Sequence, residues 1–480
     1  MSKKIVAVVG AGISGLAFAN RLKELSLQHA LPVDVRVFDS AARAGGTVAT
    51  EARDGFLLEK GPDAFISEKP WALELAQKLG IESQVIGTQE KNRRTFVAHR
   101  GKLHSLPEGF YLIAPKDIPS FLSTPLFSVK GKLRMMVETV IPASKVGEDE
   151  SVADFIRRRF GSETLERVGQ PMIAGVYSGD PEELSILHTM PSFKELEAKH
   201  RSVILGLQRR GKKEGNVLQK TSGPRYSLFL SFRRGMGALT DALVNRVGAA
   251  SIFLEDGIFS IQREGTSQPW QLLSRKGERI EADALCFATP ARVTAQLLRE
   301  TAPDLSEKLS QIRYESVTTL NLAYHAKSIG HARDGFGFVV PATEKRSLMA
   351  CTFADRKFPG RAPGEKALLR AFVGGAFGRR FFEMSDADLL RAVRKDLGDL
   401  LGIRDEPLFW TLERHPEALP QYCVGHGELV RGIEAQTRPV AGLFLTGSSY
   451  RGTGIPDCIH DAQNEADRTV EYLFGLKSSG

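Results

Sequence analysis

The chain has 480 residues and only four cysteines: Cys286, Cys351, Cys423 and Cys458. They are far apart, with no CxxC pair and no metal-ligand spacing. That excludes a disulfide framework and a zinc-type site, and it fits a reducing compartment. No run of 18 or more apolar residues occurs, so no spanning segment is expected. No Lys/Arg cluster is interleaved with aromatics, which argues against a nucleic-acid partner. No nucleophile–base pair stands out, and there is neither internal repeat nor low-complexity tract. The apolar run after Lys3 and Lys4 is cut at Gly10 and turns amphipathic, so it reads as a strand and helix and not as a targeting segment.

What remains is ordinary for a soluble enzyme: 42% hydrophobic and 25% charged residues, with a formal charge of +8. That mild excess suits anionic small molecules or an anionic surface. The length predicts two or three domains.

"VVGAGISGLA", Val8 to Ala17, sits between an apolar strand over 5–9 and a helix over 14–27. Gly10, Gly12 and Gly15 form G-x-G-x-x-G. Gly10 permits the tight turn, and Gly15 allows close helix–strand packing. Gly12 lets a pyrophosphate reach the helix N-terminus, where the dipole favours negative charge. The next strand, 33–39, ends in Asp39, whose carboxylate can accept from a ribose hydroxyl. A dinucleotide is therefore expected. A second bare loop with a cation follows at Arg43, Gly45 and Gly46, and a third glycine cluster, Gly447, Gly452 and Gly454, opens the last helix. A cofactor held at both ends of the chain favours FAD over a nicotinamide dinucleotide.

Several blocks carry a closer resemblance. They are "GAGISGL" with "ARAGG", "LEKGPDAF", "MIAGVYSGDPEELSI", "RSVILG", "GFGFVVP", "FVGGAF", and "PQYCVGH" with "YRGTGIPDCI". The sequence resembles, nearly end to end, the oxygen-dependent protoporphyrinogen oxidases of the HemY type within the amine-oxidase-like flavoproteins. The resemblance implies an α/β fold with three parts. The first is a discontinuous Rossmann-like FAD-binding domain over 1–88, 225–295 and 425–480. The second is a mixed-sheet substrate domain over 296–424, and the third a helical membrane-docking domain over 89–215. It implies non-covalent FAD and a six-electron oxidation of protoporphyrinogen IX in three steps, with O2 as acceptor and H2O2 released. A homodimer attached peripherally to the inner face of the cell membrane, on the cytoplasmic side, is expected too. Coproporphyrinogen III is the alternative substrate: "RRTF" points to the first, "GPDAF" and Lys69 to the second.

For the substrate, the resemblance implies Arg94 (Arg93 as fallback) on a propionate, walls from Val339, Thr352 and Phe372, and Gly175 over the macrocycle. Thr352 replaces an apolar residue of related enzymes. For the cofactor it implies Gly10, Gly12, Ile13, Ser14, Gly15, Asp39, Ser40, Arg43, Gly45, Gly46, Gly61, Pro62, Asp63, Ile258, Ala288, Gly447, Ser448, Gly454, Ile455 and Asp457. Ser448 stands where relatives often carry Asn or Asp, and Arg234 where a glycine is common. Cys458 is expected to be a packing residue. The polar stretch 209–225 reads as a mobile loop.

Overall fold

The computed structural model describes residues 3–107, 109–145, 147–209, 227–265 and 268–476. The polar loop expected at 209–225, apart from Arg209, lies outside them, as do the domain boundaries drawn at 215 and 225.

The first strand, Lys4–Val9, is the centre of a five-stranded parallel sheet. The order across it is Ile252–Phe253, Val33–Phe38, Lys4–Val9, Ala284–Phe287, Leu443–Leu445. Segments from the beginning, middle and end of the chain thus share one sheet, as the discontinuous domain requires. Both faces are covered, which explains the apolar runs in Lys4–Val9, Ala284–Phe287 and Leu443–Leu445, whereas Val33–Phe38 carries Asp34 and Arg36. One face packs the helices Ile13–Gln28, Gly237–Val247 and Ile455–Phe474, with Leu16, Phe18 and Leu22 fully buried. Each such side chain contributes roughly 1.5–3 kcal/mol. The other face packs a three-stranded antiparallel sheet and the helix His426–Thr437.

A second, seven-stranded mixed sheet is ordered Phe409–Gln421, Arg313–His325, Lys366–Gly374, Ala350–Phe353, Gly337–Val339, Thr95–His99, Lys102–Ser105. One face buries Leu320, Leu322, Phe338, Phe353 and Leu369 with the helix Asp386–Leu401. The opposite face meets the helical region. That region, from Ile118 to Leu207, holds Phe121, Phe127, Phe155, Phe160 and Phe193 in one core, which also takes in Val97, Val339 and Ala350 of the sheet. Four of its helices start on Asp117, Ser128, Ser151 and Ser185, each accepting a backbone N–H of the first turn.

The boundary expected at residue 89 shifts. Thr95–His99 and Lys102–Ser105 are strands of the substrate sheet, so the first part of the 89–215 span belongs to that sheet. "TFVAH" is too short and too β-branched to add to a helix, and Gly337–Val339 supplies a parallel partner.

Candidate flavin and substrate site

At the first glycine turn each position has a separate geometric cause. Gly10 has φ +106°, and a Cβ there would lie 2.8 Å from the Ala288 carbonyl oxygen. A Cβ on Gly15 would fall 1.9 Å from the Gly10 carbonyl oxygen and 3.2 Å from Ala288 Cβ. Gly12 is the exception: a Cβ would meet nothing nearer than Gly46 Cα, at 4.0 Å. Its side is open, and no side chain caps the helix beginning at Ile13. The fold gains nothing from a bare residue there, whereas a ligand approaching the helix N-terminus does.

The second bare loop closes on the first. The Gly45 amide donates to the Ala11 carbonyl (2.7 Å), and Gly12 and Gly45 form a parallel bridge. Gly45 and Gly46 have φ +105° and +59°. Arg43 is exposed and its guanidinium folds over this loop, donating to the Gly46 carbonyl at 2.7 Å. Asp39 is occupied in a way the sequence did not suggest. Its carboxylate accepts from the Ala11 amide at 2.7 Å and the Ala41 amide at 2.8 Å, locking the turn. The segment before Ile258 lies alongside: the Asp256 amide donates to the Asp39 carbonyl (2.9 Å), and a Cβ on Gly257 would touch Ser40.

The C-terminal loop arrives at the same place. A Cβ on Gly447 would lie 3.9 Å from Ser14 Oγ. The last helix starts on Gly454, again without a side-chain cap. Two uncapped helix N-termini therefore converge with three glycine loops, a fit for the two phosphates and long body of a flavin dinucleotide. Ile455 is buried at the start of that helix, while Ser448 is partly exposed beside it. Asp457 is taken up by Lys69, whose Nζ lies 2.5 and 2.7 Å from its oxygens. The Cys458 thiol is buried, and burial pushes its pKa up to about 12. It stays protonated and is a packing group, with no thiolate for a covalent flavin bond.

"LEKGPDAF" joins this cofactor region to the substrate sheet. On the sheet face carrying Phe372, Thr319 Oγ1 donates to the Lys60 carbonyl (3.0 Å) and Asn321 Nδ2 to the Glu59 carbonyl (3.2 Å). Arg370 donates to the Gly61 carbonyl, and His415 Nε2 lies 2.9 Å from the Lys60 carbonyl. A Cβ on Gly61 would fall 1.8 Å from the Thr47 carbonyl oxygen, so the turn that continues through Pro62 packs backbone to backbone. Asp63 departs from expectation. Its carboxylate is withdrawn into an ion pair with Lys357 Nζ (2.9 and 3.0 Å). Burial opposes its charge, yet Lys357 and Arg370 hold its pKa below the usual carboxylate range. Burial pushes the Glu59 carboxyl up, against hydrogen bonds from the Thr50 hydroxyl and the Met236 amide.

The substrate residues assemble by register. Val97, Val339, Ala350 and Phe372 are consecutive partners across four strands, and Thr352 and Arg370 are partners one step along on the same face. Gly175, on the helix Gln170–Tyr177, is exposed, and a Cβ there would lie 3.5 Å from Val339 Cγ1 and 4.0 Å from Ala350 Cβ. Phe372 is half-buried, with the Arg370 guanidinium 4.8 Å from its ring centroid. Four expected residues, Gly175, Val339, Thr352 and Phe372, thus line one apolar wall beside the Lys60–Asp63 turn. Arg94 does not join them. It stands just before the strand Thr95–His99, half-exposed, with its guanidinium 2.7 Å from Asp334. Arg93 is more exposed and lies 3.6 Å from Glu90. Asp334 competes for Arg94, a pairing across 240 residues that no local pattern announces.

Glu59, Thr319, Asn321, Arg370 and His415 were not anticipated. A signal existed: Arg370 is a lone charge inside the apolar run "ALLRAFVGG", and Thr319 and Asn321 interrupt a buried strand on alternate positions. Among the described residues, no group of three or more His, Cys, Asp or Glu could hold a metal.

The comparisons with known proteins decide the family. Residues 13–470 match the family of flavin containing amine oxidoreductases. The chain belongs to that family. It is 32% identical over 473 residues to a coproporphyrinogen III oxidase of Bacillus subtilis (strain 168), covering 98% of this chain and 99% of that one. It is 29% identical over 487 residues to a chloroplastic protoporphyrinogen oxidase of Oryza sativa subsp. japonica, covering 97% and 88%. A crystal structure from Exiguobacterium sp. 255-15, assigned as a protoporphyrinogen oxidase, superposes with a TM-score of 0.84 at 28% identity, covering 98% and 99%. The chain is an FAD-dependent oxidase of the porphyrinogen-oxidising branch, which agrees with the cofactor geometry above.

Proposed function

We propose that this oxidase acts on coproporphyrinogen III in haem biosynthesis, converting it to coproporphyrin III. The observation that carries the choice is the ranking of relatives. Coproporphyrinogen III oxidases of Bacillus subtilis, Staphylococcus aureus and Propionibacterium freudenreichii are 31–32% identical over 98–99% of this chain. Plant protoporphyrinogen oxidases are 24–29% identical. The preference for protoporphyrinogen IX drawn from "RRTF" is therefore reversed.

A flavin bound at the three glycine loops would supply hydride acceptance and reoxidation by O2. In each of three steps the macrocycle loses a hydride and a proton. Six hydrogens leave, three O2 are consumed and three H2O2 form. The chain's own part is to seat a flat apolar ring on the surface formed by Gly175, Thr352 and Phe372, beside the Lys60–Asp63 turn. Porphyrin fluorescence released in air from each porphyrinogen gives the test, as a ratio of kcat/KM values. A ratio well above one for coproporphyrinogen is expected; a ratio well below one returns the enzyme to protoporphyrinogen IX.

Membrane attachment remains part of the proposal. Among the described residues no helix is long and apolar enough to cross a membrane. The helical region does carry exposed Val129, Leu133 and Val137 at four-residue spacing, with Leu122 and Val140 near in sequence and Lys130 and Lys132 between them. An apolar row flanked by lysines suits an anionic lipid surface. Co-sedimentation with vesicles of phosphatidylglycerol is expected, and loss of that binding in Leu133→Glu; a wild-type protein that stays in the supernatant would remove the proposal.

A further inference from the structure

The block "PQYCVGH" has no role in the site as described, yet it touches both halves of it. Tyr422 follows directly on the strand Phe409–Gln421 of the substrate sheet. Its hydroxyl donates to the Ser448 carbonyl (2.7 Å) and accepts from the Gly452 amide (2.8 Å). Its ring stacks on the His426 imidazole, with centroids 3.9 Å apart and planes at 16°. His426 Nε2 in turn lies 2.9 Å from the Tyr450 carbonyl. That carbonyl can only accept, so Nε2 carries the proton. Three backbone groups of the C-terminal loop, at 448, 450 and 452, are thus tied to one pair of stacked rings. The neighbouring Gln421 Nε2 donates to the Tyr177 carbonyl (3.1 Å), at the end of the helix that carries Gly175.

We propose that Tyr422 is a positioning residue for the flavin. Its hydroxyl closes the 448–452 loop and so fixes the start of the last helix, and the same strand end sets the Gly175 helix. The residue acts through the loop, by its hydroxyl bonds to the backbone at Ser448 and Gly452. The inference rests on the reading of this loop as a cofactor seat. Gly447 beside Ser14 supplies that reading's geometric support. Both hydroxyl bonds are to backbone groups that lack another partner in the loop, so their loss leaves the Ser448 carbonyl and the Gly452 amide without protein partners.

Tyr422→Phe removes the hydroxyl and keeps the ring stack. In the purified holoenzyme it is expected to raise the FAD dissociation constant about five- to tenfold, read by recovery of flavin fluorescence on dilution. The melting temperature of the apoprotein should change little. In the wild-type apoprotein, hydrogen exchange of the 446–454 segment should be slow, and in Tyr422→Phe faster there and unchanged in the sheet. An unchanged FAD dissociation constant overturns the proposal. So does uniformly faster exchange with a matching fall in apoprotein melting temperature, which would make Tyr422 a general packing residue. If Tyr422→Phe does not fold, His426→Gln, which retains a donor for the Tyr450 carbonyl, is read the same way. A wild-type protein that binds no FAD would defeat the cofactor reading itself, which the first measurement on the wild type distinguishes.

Discussion

The glycine turn and the substrate wall are built on opposite principles. At the turn the backbone is its own obstacle: a Cβ on Gly15 would sit 1.9 Å from the Gly10 carbonyl oxygen, and one on Gly10 2.8 Å from the Ala288 carbonyl oxygen. At the wall, side chains from four strands and one helix meet at ordinary contact distances, and a Cβ on Gly175 would just touch Val339 at 3.5 Å. The turn has one solution, because the obstacles are backbone atoms that cannot move aside. The wall has many, because its neighbours are side chains that can repack. Chemistry common to a family belongs on the first kind of site, and substrate choice on the second.

The sharpest break of that comparison lies within the turn. Gly15→Ala forces a methyl into a backbone oxygen, and a destabilisation of about 3 kcal/mol or more is expected, with the apoprotein itself melting lower. Gly12→Val should behave differently. The position is open, so the apoprotein should keep its melting temperature to within a few degrees. FAD occupancy should fall more than 100-fold, because the isopropyl group occupies the path to the helix N-terminus. Parallel melting and flavin absorbance of the two variants check this; equal loss of stability in both would mean that Gly12 is structural after all.

Acid should loosen the C-terminal loop before it unfolds the sheets. Burial lowers the His426 pKa from 6.5 to about 4, opposed by the hydrogen bond to the Tyr450 carbonyl; His188 adds to the lowering and Asp149 works against it. Above pH 6.5 both folded and unfolded chains carry the neutral ring, and the group contributes nothing to the pH dependence. Between pH 6.5 and 4 the unfolded chain takes up a proton that the folded one refuses. Stability falls across that window, by about 3 kcal/mol at its lower end. His426→Gln removes this slope. Urea midpoints of the two proteins at pH 7 and pH 5 should therefore converge at the lower pH; curves that stay parallel would exclude His426 as the titrating group.

The difference in legibility follows from the same contrast. Gly10, Gly12, Gly15, Asp39 and Gly45 were readable because they punctuate one strand–turn–helix–strand unit within about forty residues, although the carbonyl that Gly10 avoids, that of Ala288, comes from far along the chain. The strands Lys4–Val9 and Ala284–Phe287 announced themselves as apolar runs. Arg370 on the Gly61 carbonyl was not readable, since only the packing of the two sheets brings 61 and 370 together. The same holds for Lys357 on Asp63 and Asp334 on Arg94. The boundary at residue 89 failed for a related reason: a strand of five residues, Thr95–His99, is recognised by its partner Gly337–Val339 and not by its own period.

At the wall, smaller effects on stability and larger ones on KM are expected. Gly175→Ala places its methyl at contact distance from Val339 and should leave kcat/KM within about threefold. Gly175→Leu extends past that contact and should raise KM for the porphyrinogen at least tenfold with flavin content unchanged, while crowding against Val339 and Ala350 lowers the melting temperature. Equal KM values for the two variants would place the macrocycle elsewhere.

The mildest test concerns the cation at the wall's edge. The Arg94–Asp334 pair is half-exposed on both sides, and such a pair holds together by about 1 kcal/mol or less. A propionate in bidentate contact with the same guanidinium is worth roughly 1.5–3 kcal/mol. A substrate carboxylate should therefore displace Asp334 at a small cost. Arg94→Ala is expected to raise KM about five- to tenfold with flavin bound as before. Asp334→Asn removes the competitor and should lower KM by about two- to threefold. A rise in KM for Asp334→Asn as large as that for Arg94→Ala would instead make Asp334 the residue that aims Arg94. An unchanged KM in Arg94→Ala would leave the pair a surface contact, and the wall would bind its substrate by shape alone.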